Sequence, residues 1–356
     1  MTMPAPLDGA TPPIAADDGD ALPLLVRPVG DPPLAEVCEW LRDNEAWVQE
    51  RLTRNGALLF RGFPVDGPDD FEALARAIDD GLKNQYLGTS PRDALTDYVF
   101  SASELPNFYP IPQHCEMSFI ADPPRRVFFC CLREPAAGSG ETPLVDFRKV
   151  YADLDPEVRR RFDERGVRIV RNYSGPRAGR RFDLWQLKGW DEMFLTTDRA
   201  AVEQQCRAEG FEPLWSNGDN LRLVSTQPAS REHPVTGERV WHNHTQVFHL
   251  SAAAGEYKRI HHLRPSLRSW ALLQFARAMT AVKRATKSSD EHAMHCTYID
   301  GGEISDADME EVRDAIWNNL KITPWRRGDV VAIDNRSVAH GRLPYRGPRQ
   351  VAVCWA

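Results

Sequence analysis

Two β-branched runs near the C-terminus, DVVAID at 329–334 and QVAVCW at 350–355, frame a loop rich in Gly, Pro and Arg. Short apolar runs bounded by turn residues read as strands buried on both faces. GALLFRGF at 56–63 and RVFFCCL at 126–132 read the same way. Several such strands have to stack into a β-core, with helices and loops packed around the outside.

The helices show as periodicity. Leu34, Val37, Trp40, Leu41, Trp47 and Val48 recur at helical spacing over 34–54, and DDFEAL opens a helix over 68–82 with acids in its first turn. ALPLLVRPV (21–29) predicts a strand. DPEVRRRFDERG (155–166) predicts a charged surface helix ending on glycine, followed by the strand VRIVRNY. A basic helix is expected near 263–287 and another over 305–319. The predicted class is therefore α+β.

Residues 1–20, rich in Pro, Ala and Asp, lack the basic start and apolar core of a secretory signal and read as a disordered leader. That leaves 21–356 as a single domain. Residues 174–300 carry no linker that marks them off, so they read as a large insertion, one whose loop composition suits a lid over substrate.

Composition narrows the function classes. The net charge is −7 and the basic residues are scattered apart from short clusters, which argues against a nucleic-acid groove or an anionic membrane as partner. No apolar run approaches the length needed to span a bilayer. The seven cysteines are widely spread with no C-x-x-C pair, as expected of a reducing cytoplasm.

IPQHCEMSF, 111–119, places His114 and Glu116 two residues apart, on one face of an extended chain, with Cys115 pointing away. Two ligands of one metal ion would sit that way. With 51 acids and ten histidines in 356 residues, roughly one and a half such pairs arise by chance, and one is present, so the pair alone decides nothing. What it lacks is supplied more than two hundred residues later. His340 falls in the loop after GDVVAID, and Arg349 begins the next strand nine residues later. Two histidines and a carboxylate form the facial triad of non-haem Fe(II) oxygenases, which leaves positions open for a bidentate co-substrate and O2.

HCEMSF, GSGETPLVD, GDVVAIDNRSVAHGR and GPRQVAV together resemble the TauD/TfdA (taurine/2,4-D dioxygenase) family of Fe(II)/2-oxoglutarate-dependent oxygenases, in order, from about residue 56 to the end. Within it they are most similar to the SyrP-like, clavaminate-synthase-like branch of natural-product pathways. The resemblance implies a double-stranded β-helix, or jelly roll, with flanking helices. It implies Fe(II) on His114, Glu116 and His340, and 2-oxoglutarate gripped at its far carboxylate by Thr142 and Arg349. A planar guanidinium suits that carboxylate because it binds bidentately.

Family members that hold an acidic substrate use a second arginine four residues after the co-substrate arginine. Here that position is Val353. Related halogenases replace the acidic ligand with a small residue, whereas Glu116 fills that place. The resemblance thus implies hydroxylation of an amino acid or an amino-acid-derived substrate, free or presented on a carrier protein, with release of succinate and CO2. Desaturation or cyclisation by the same oxidant is the alternative, and a metal-dependent hydrolase or isomerase on a similar core is another.

Substrate contacts are expected from Arg92, as a replacement anchor, and from Met117, Ser118, Asn243 and His244. His242 and His249 lie in the same VWHNHTQVFH stretch, 240–249. Asp334, Asn335 and Arg342 flank His340 and are expected to orient it.

Overall fold

Strands that read as unbroken apolar runs have no solvent face, and here each face meets a different layer. The computed structural model describes residues 11–84, 92–102, 105–176, 189–216 and 218–356. A seven-stranded sheet runs in the order Ile14–Ala16, Leu24–Pro28, Ala57–Phe60, Val330–Asp334, Arg126–Arg133, Gln350–Trp355 and Phe100–Ser101. Only the pairing of Leu24–Pro28 with Ala57–Phe60 is parallel.

Side-chain alternation sorts the central strands onto two cores. Leu58, Phe60, Phe128, Cys130, Val330, Ala332, Ala352 and Cys354 pack under helices Leu34–Asp43, Glu45–Asn55 and Pro68–Ile78. Leu59, Val127, Phe129, Val331, Ile333, Val351, Val353 and Trp355 face the other way. There they meet a three-stranded sheet of Ile111–His114, Val338–Arg342 and Leu144–Asp146. The candidate site lies on this second side.

The helix expected over 34–54 is two helices broken at Asn44, and the second closes on Gly56, whose φ of 78° is the left-handed conformation glycine adopts without strain. Of the expected leader, residues 1–10 lie outside the described residues. Ile14–Ala16 pairs with Val26–Pro28 and buries Ile14, so a disordered leader does not extend to residue 20.

Residues 174–300 are not a discrete insertion. Strands Asn220–Gln227 and Met294–Thr297 flank Val167–Tyr173 in a four-stranded antiparallel sheet completed by Glu212–Ser216. Trp190, Val202, Leu221, Trp241, Phe248 and Cys296 join the same core as the inner faces of the large sheet. The polar residues interleaved along NLRLVSTQ, 220–227, and the short, half-exposed strand Glu212–Ser216 hid this from the sequence. Among the described residues no helix is long and apolar enough to cross a membrane.

Candidate metal centre

His114 ends one strand and His340 sits in the middle of its neighbour, directly opposite it in the antiparallel register. His340 is therefore a strand residue rather than a loop residue. The pairing shifts register between His340 and Arg342, and Gly341 sits at the shift. A Cβ there would lie 2.6 Å from the carbonyl oxygen of Ile111, so only glycine lets the two strands approach this closely. The imidazole centroids are 4.6 Å apart.

Glu116 leaves the strand two residues after His114 and turns back toward both rings. Its backbone is clamped by Asn335, whose Oδ1 accepts from the Glu116 N–H at 2.6 Å while Nδ2 donates to the Glu116 and Pro124 carbonyls. One donor atom from each of His114, Glu116 and His340 lies within 4.8 Å of the others, close enough to share an ion. Cys115 is buried in the core, and burial keeps its thiol protonated.

The electrostatics suit a cation. His114 donates Nδ1–H to the Pro112 carbonyl at 2.8 Å, which leaves Nε2 as the lone-pair nitrogen. Burial, with His340 nearby, pushes the His114 imidazole down to about 4, so it stays neutral. Burial alone would raise the Glu116 carboxyl, but Arg92 and the two histidines hold it well below the usual carboxylate range. Two imidazoles and one ionised carboxylate are the donor set that borderline divalent iron accepts.

Arg349 and Thr142 open onto the same cavity as the three donors. Arg349 donates Nε–H to the Gly140 carbonyl at 2.8 Å and Nη2–H to Thr142 Oγ1 at 3.2 Å. No carboxylate lies within ion-pair distance of it among the described residues. Burial, together with Arg342, pushes its guanidinium down to about 10. A half-buried cation that faces a cavity without an anion is costly, and an anionic ligand would relieve that cost.

The other expected residues divide. His244 lines the cavity, with its ring 5.1 Å from His114 and Nδ1 at 2.6 Å from Ser118 Oγ, and His249 lines it as well. Met117, Ser118, Asn243 and His242 do not. Met117 joins the core, Ser118 bonds His244, and Asn243 holds Ala229 and Thr245. Arg92 faces the cavity, yet its Nη2 donates to Glu116 Oε2 at 3.0 Å and Nη1 to the Ala102 carbonyl, so it braces the Glu116 carboxylate rather than standing ready as a substrate anchor. The neighbouring stretch 85–91 lies outside the described residues.

Asp334 and Arg342 do not touch His340. Asp334 pairs with Arg126 and His233, and Arg342 donates to the carbonyls of Leu105, Pro106 and Tyr109, fixing the loop that leads into the His114 strand. Sequence reasoning missed Phe119, Phe129, Val247, Phe248 and Glu256 as cavity walls. Only Phe129 had a signal, as an inward position of a recognised strand.

The family model for taurine catabolism dioxygenase TauD, TfdA family, matches residues 21–355. The chain belongs to this family. It is an Fe(II)/2-oxoglutarate-dependent dioxygenase. This TauD/TfdA chain is 29% identical over 306 residues to the dapdiamide synthesis protein DdaC of Enterobacter agglomerans, covering 86% of this chain and 83% of that protein. It is 29% identical over 321 residues to a clavaminate synthase-like protein of Arabidopsis thaliana, covering 87% and 84%. A taurine dioxygenase structure from Burkholderia xenovorans superposes with a TM-score of 0.51 at 15% identity, covering 97% of this chain and 89% of that one. That likeness concerns the fold alone: the facing sheets are the jelly roll of the family.

Proposed function

We propose that this TauD/TfdA enzyme hydroxylates an unactivated C–H bond of an amino acid or amino-acid-derived substrate, free or attached to a carrier protein, in natural-product biosynthesis. His114, Glu116 and His340 hold Fe(II), and Arg349 and Thr142 hold the far carboxylate of 2-oxoglutarate. The observation that carries this reading is the convergence on one cavity of three metal-type donors and an arginine with no carboxylate partner among the described residues. The resemblance to a dapdiamide synthesis protein supports the biosynthetic setting.

Bound iron and 2-oxoglutarate supply the chemistry, coupling reduction of O2 to formation of succinate and CO2 and to oxidation of the substrate. The chain's own residues bind, orient and exclude water. Asn335 and Arg92 fix the two ends of Glu116, and the Pro112 carbonyl fixes the His114 tautomer. Phe119, Phe129 and Phe248 wall the cavity with apolar surface, which keeps water from the reacting bond and strengthens every charge interaction inside. Glu116 leaves no small-residue gap for a halide, so hydroxylation is favoured over halogenation. Desaturation or cyclisation uses the same machinery and differs only in the fate of the substrate radical.

The test is anaerobic addition of Fe(II) and 2-oxoglutarate, expected to give a weak visible charge-transfer band, followed by succinate release screened over free amino acids and carrier-bound aminoacyl groups. A missing band, with Arg349→Ala indistinguishable from wild type in 2-oxoglutarate binding, overturns the reading.

A further inference from the structure

The chain exposes ten large hydrophobic side chains among the described residues, and five of them, Leu263, Leu267, Trp270, Phe275 and Val282, fall within twenty consecutive positions. Scattered exposed apolar residues need no explanation, but a concentration on one element does. The element is the helix Leu267–Thr286, the longest among the described residues.

At 100° per residue this helix has two faces. The inner one buries Leu273 and Ala276 and contributes Ala276, Met279, Thr280 and Lys283 to the cavity wall. The outer one carries Leu267, Trp270, Phe275 and Val282 with Ala271, Ala278, Ala281 and Ala285, all exposed, and one polar residue among them, the half-buried Gln274. Arg268 borders this stripe on one side, and Arg277 and Arg284 border it on the other.

Charge sets the kind of partner. The helix has four basic residues and no acid, in a chain whose net charge is −7. Arg284 is committed to Asp306, but Arg268 and Arg277 make no ion pair among the described residues. An apolar stripe flanked by unpaired cations fits an acidic amphipathic helix, whose apolar face covers the stripe while its carboxylates meet the arginines. The alanines favour a helix over a lipid surface. They form a shallow groove that admits a second helix's ridge of larger side chains, whereas they add little area for insertion between lipids. A second copy of this helix would bring arginines against arginines.

We infer that the outer face of helix Leu267–Thr286 is a docking site for an acidic amphipathic helix of a partner protein. The inference goes beyond the proposed oxygenase chemistry and does not depend on it, because docking is measured without turnover.

The probe is a fluorescein-labelled twenty-residue peptide with a Leu/Ala stripe and Glu flanks, titrated with the full chain by fluorescence anisotropy, and a scrambled peptide of the same composition is the control. Binding that weakens with salt and falls roughly tenfold or more in both Trp270→Glu/Phe275→Glu and Arg268→Glu/Arg277→Glu is expected. The charge pair touches no packing, so it keeps the test valid if the apolar pair folds poorly. No peptide binding, or equal binding by wild type and the charge pair, overturns the inference. So does a wild-type dimer in sedimentation velocity that the charge pair disperses. Co-sedimentation with phosphatidylserine vesicles in the absence of peptide binding also overturns it, in favour of a membrane.

Discussion

Arg92 donates Nη2–H to Glu116 Oε2 at 3.0 Å, and both side chains are buried. The guanidinium therefore acts on the carboxylate at the centre of the candidate metal site. Groups that orient a metal ligand typically contribute 10–100-fold to metal affinity. Arg92→Ala is expected to weaken Fe(II) binding by about that range, measured by metal titration under anaerobic conditions. Unchanged metal affinity together with a raised substrate KM would return Arg92 to the role of substrate anchor.

Arg349 is the only charge contact proposed for the far end of 2-oxoglutarate. A hydrogen bond to a charged group is worth about 1.5–3 kcal/mol, so Arg349→Ala should raise the KM for 2-oxoglutarate by roughly 10–100-fold. Fe(II) affinity measured without the co-substrate should stay within about twofold, since Arg349 bonds Gly140 and Thr142 rather than a metal donor. Equal losses of both would mean that the substitution had collapsed the site.

Gly341 holds the register that sets His340 opposite His114. Gly341→Ala brings a methyl group to 2.6 Å from a backbone oxygen that cannot rotate away, so one strand has to move. Overpacking of this kind costs about 1–3 kcal/mol. A lowered melting temperature accompanied by weaker metal binding is expected, and a variant with wild-type metal affinity would show that the register tolerates the extra atom.

Asp334 is fully buried between Arg126, at 2.8 Å, and His233 Nε2, at 2.9 Å. Burial raises its carboxyl, but these two partners outweigh burial and hold it below its ordinary value of 3.8. A depressed carboxyl contributes stability in full above that ordinary value and loses it as pH falls through the folded one. Chemical denaturation of wild type should therefore weaken progressively below about pH 4. Asp334→Ala leaves the Arg126 charge buried without a carboxylate and should cost about 3–5 kcal/mol. A much smaller loss at pH 7 would mean that water replaces the carboxylate.

The sequence by itself determined the strands and the chemistry they carry. A strand buried on both faces must be apolar at every position, so DVVAID, QVAVCW and RVFFCCL announced themselves. The His114–Glu116 spacing offered two donors to one ion, but the strand ends at His114 and Glu116 reaches the site through the turn that follows. Tertiary structure alone decided what those donors meet. Whether His340 faces His114 depends on the register of two strands more than two hundred residues apart, and a glycine against a carbonyl sets it. Arg92 looked like a free anchor in sequence and became a partner of Glu116 through burial, because a buried cation takes the nearest anion. Residues 174–300 looked like an insertion because polar residues are interleaved along their strands, as in NLRLVSTQ at 220–227. Their place in the core follows from pairing with Val167–Tyr173, a long-range choice that no local pattern records.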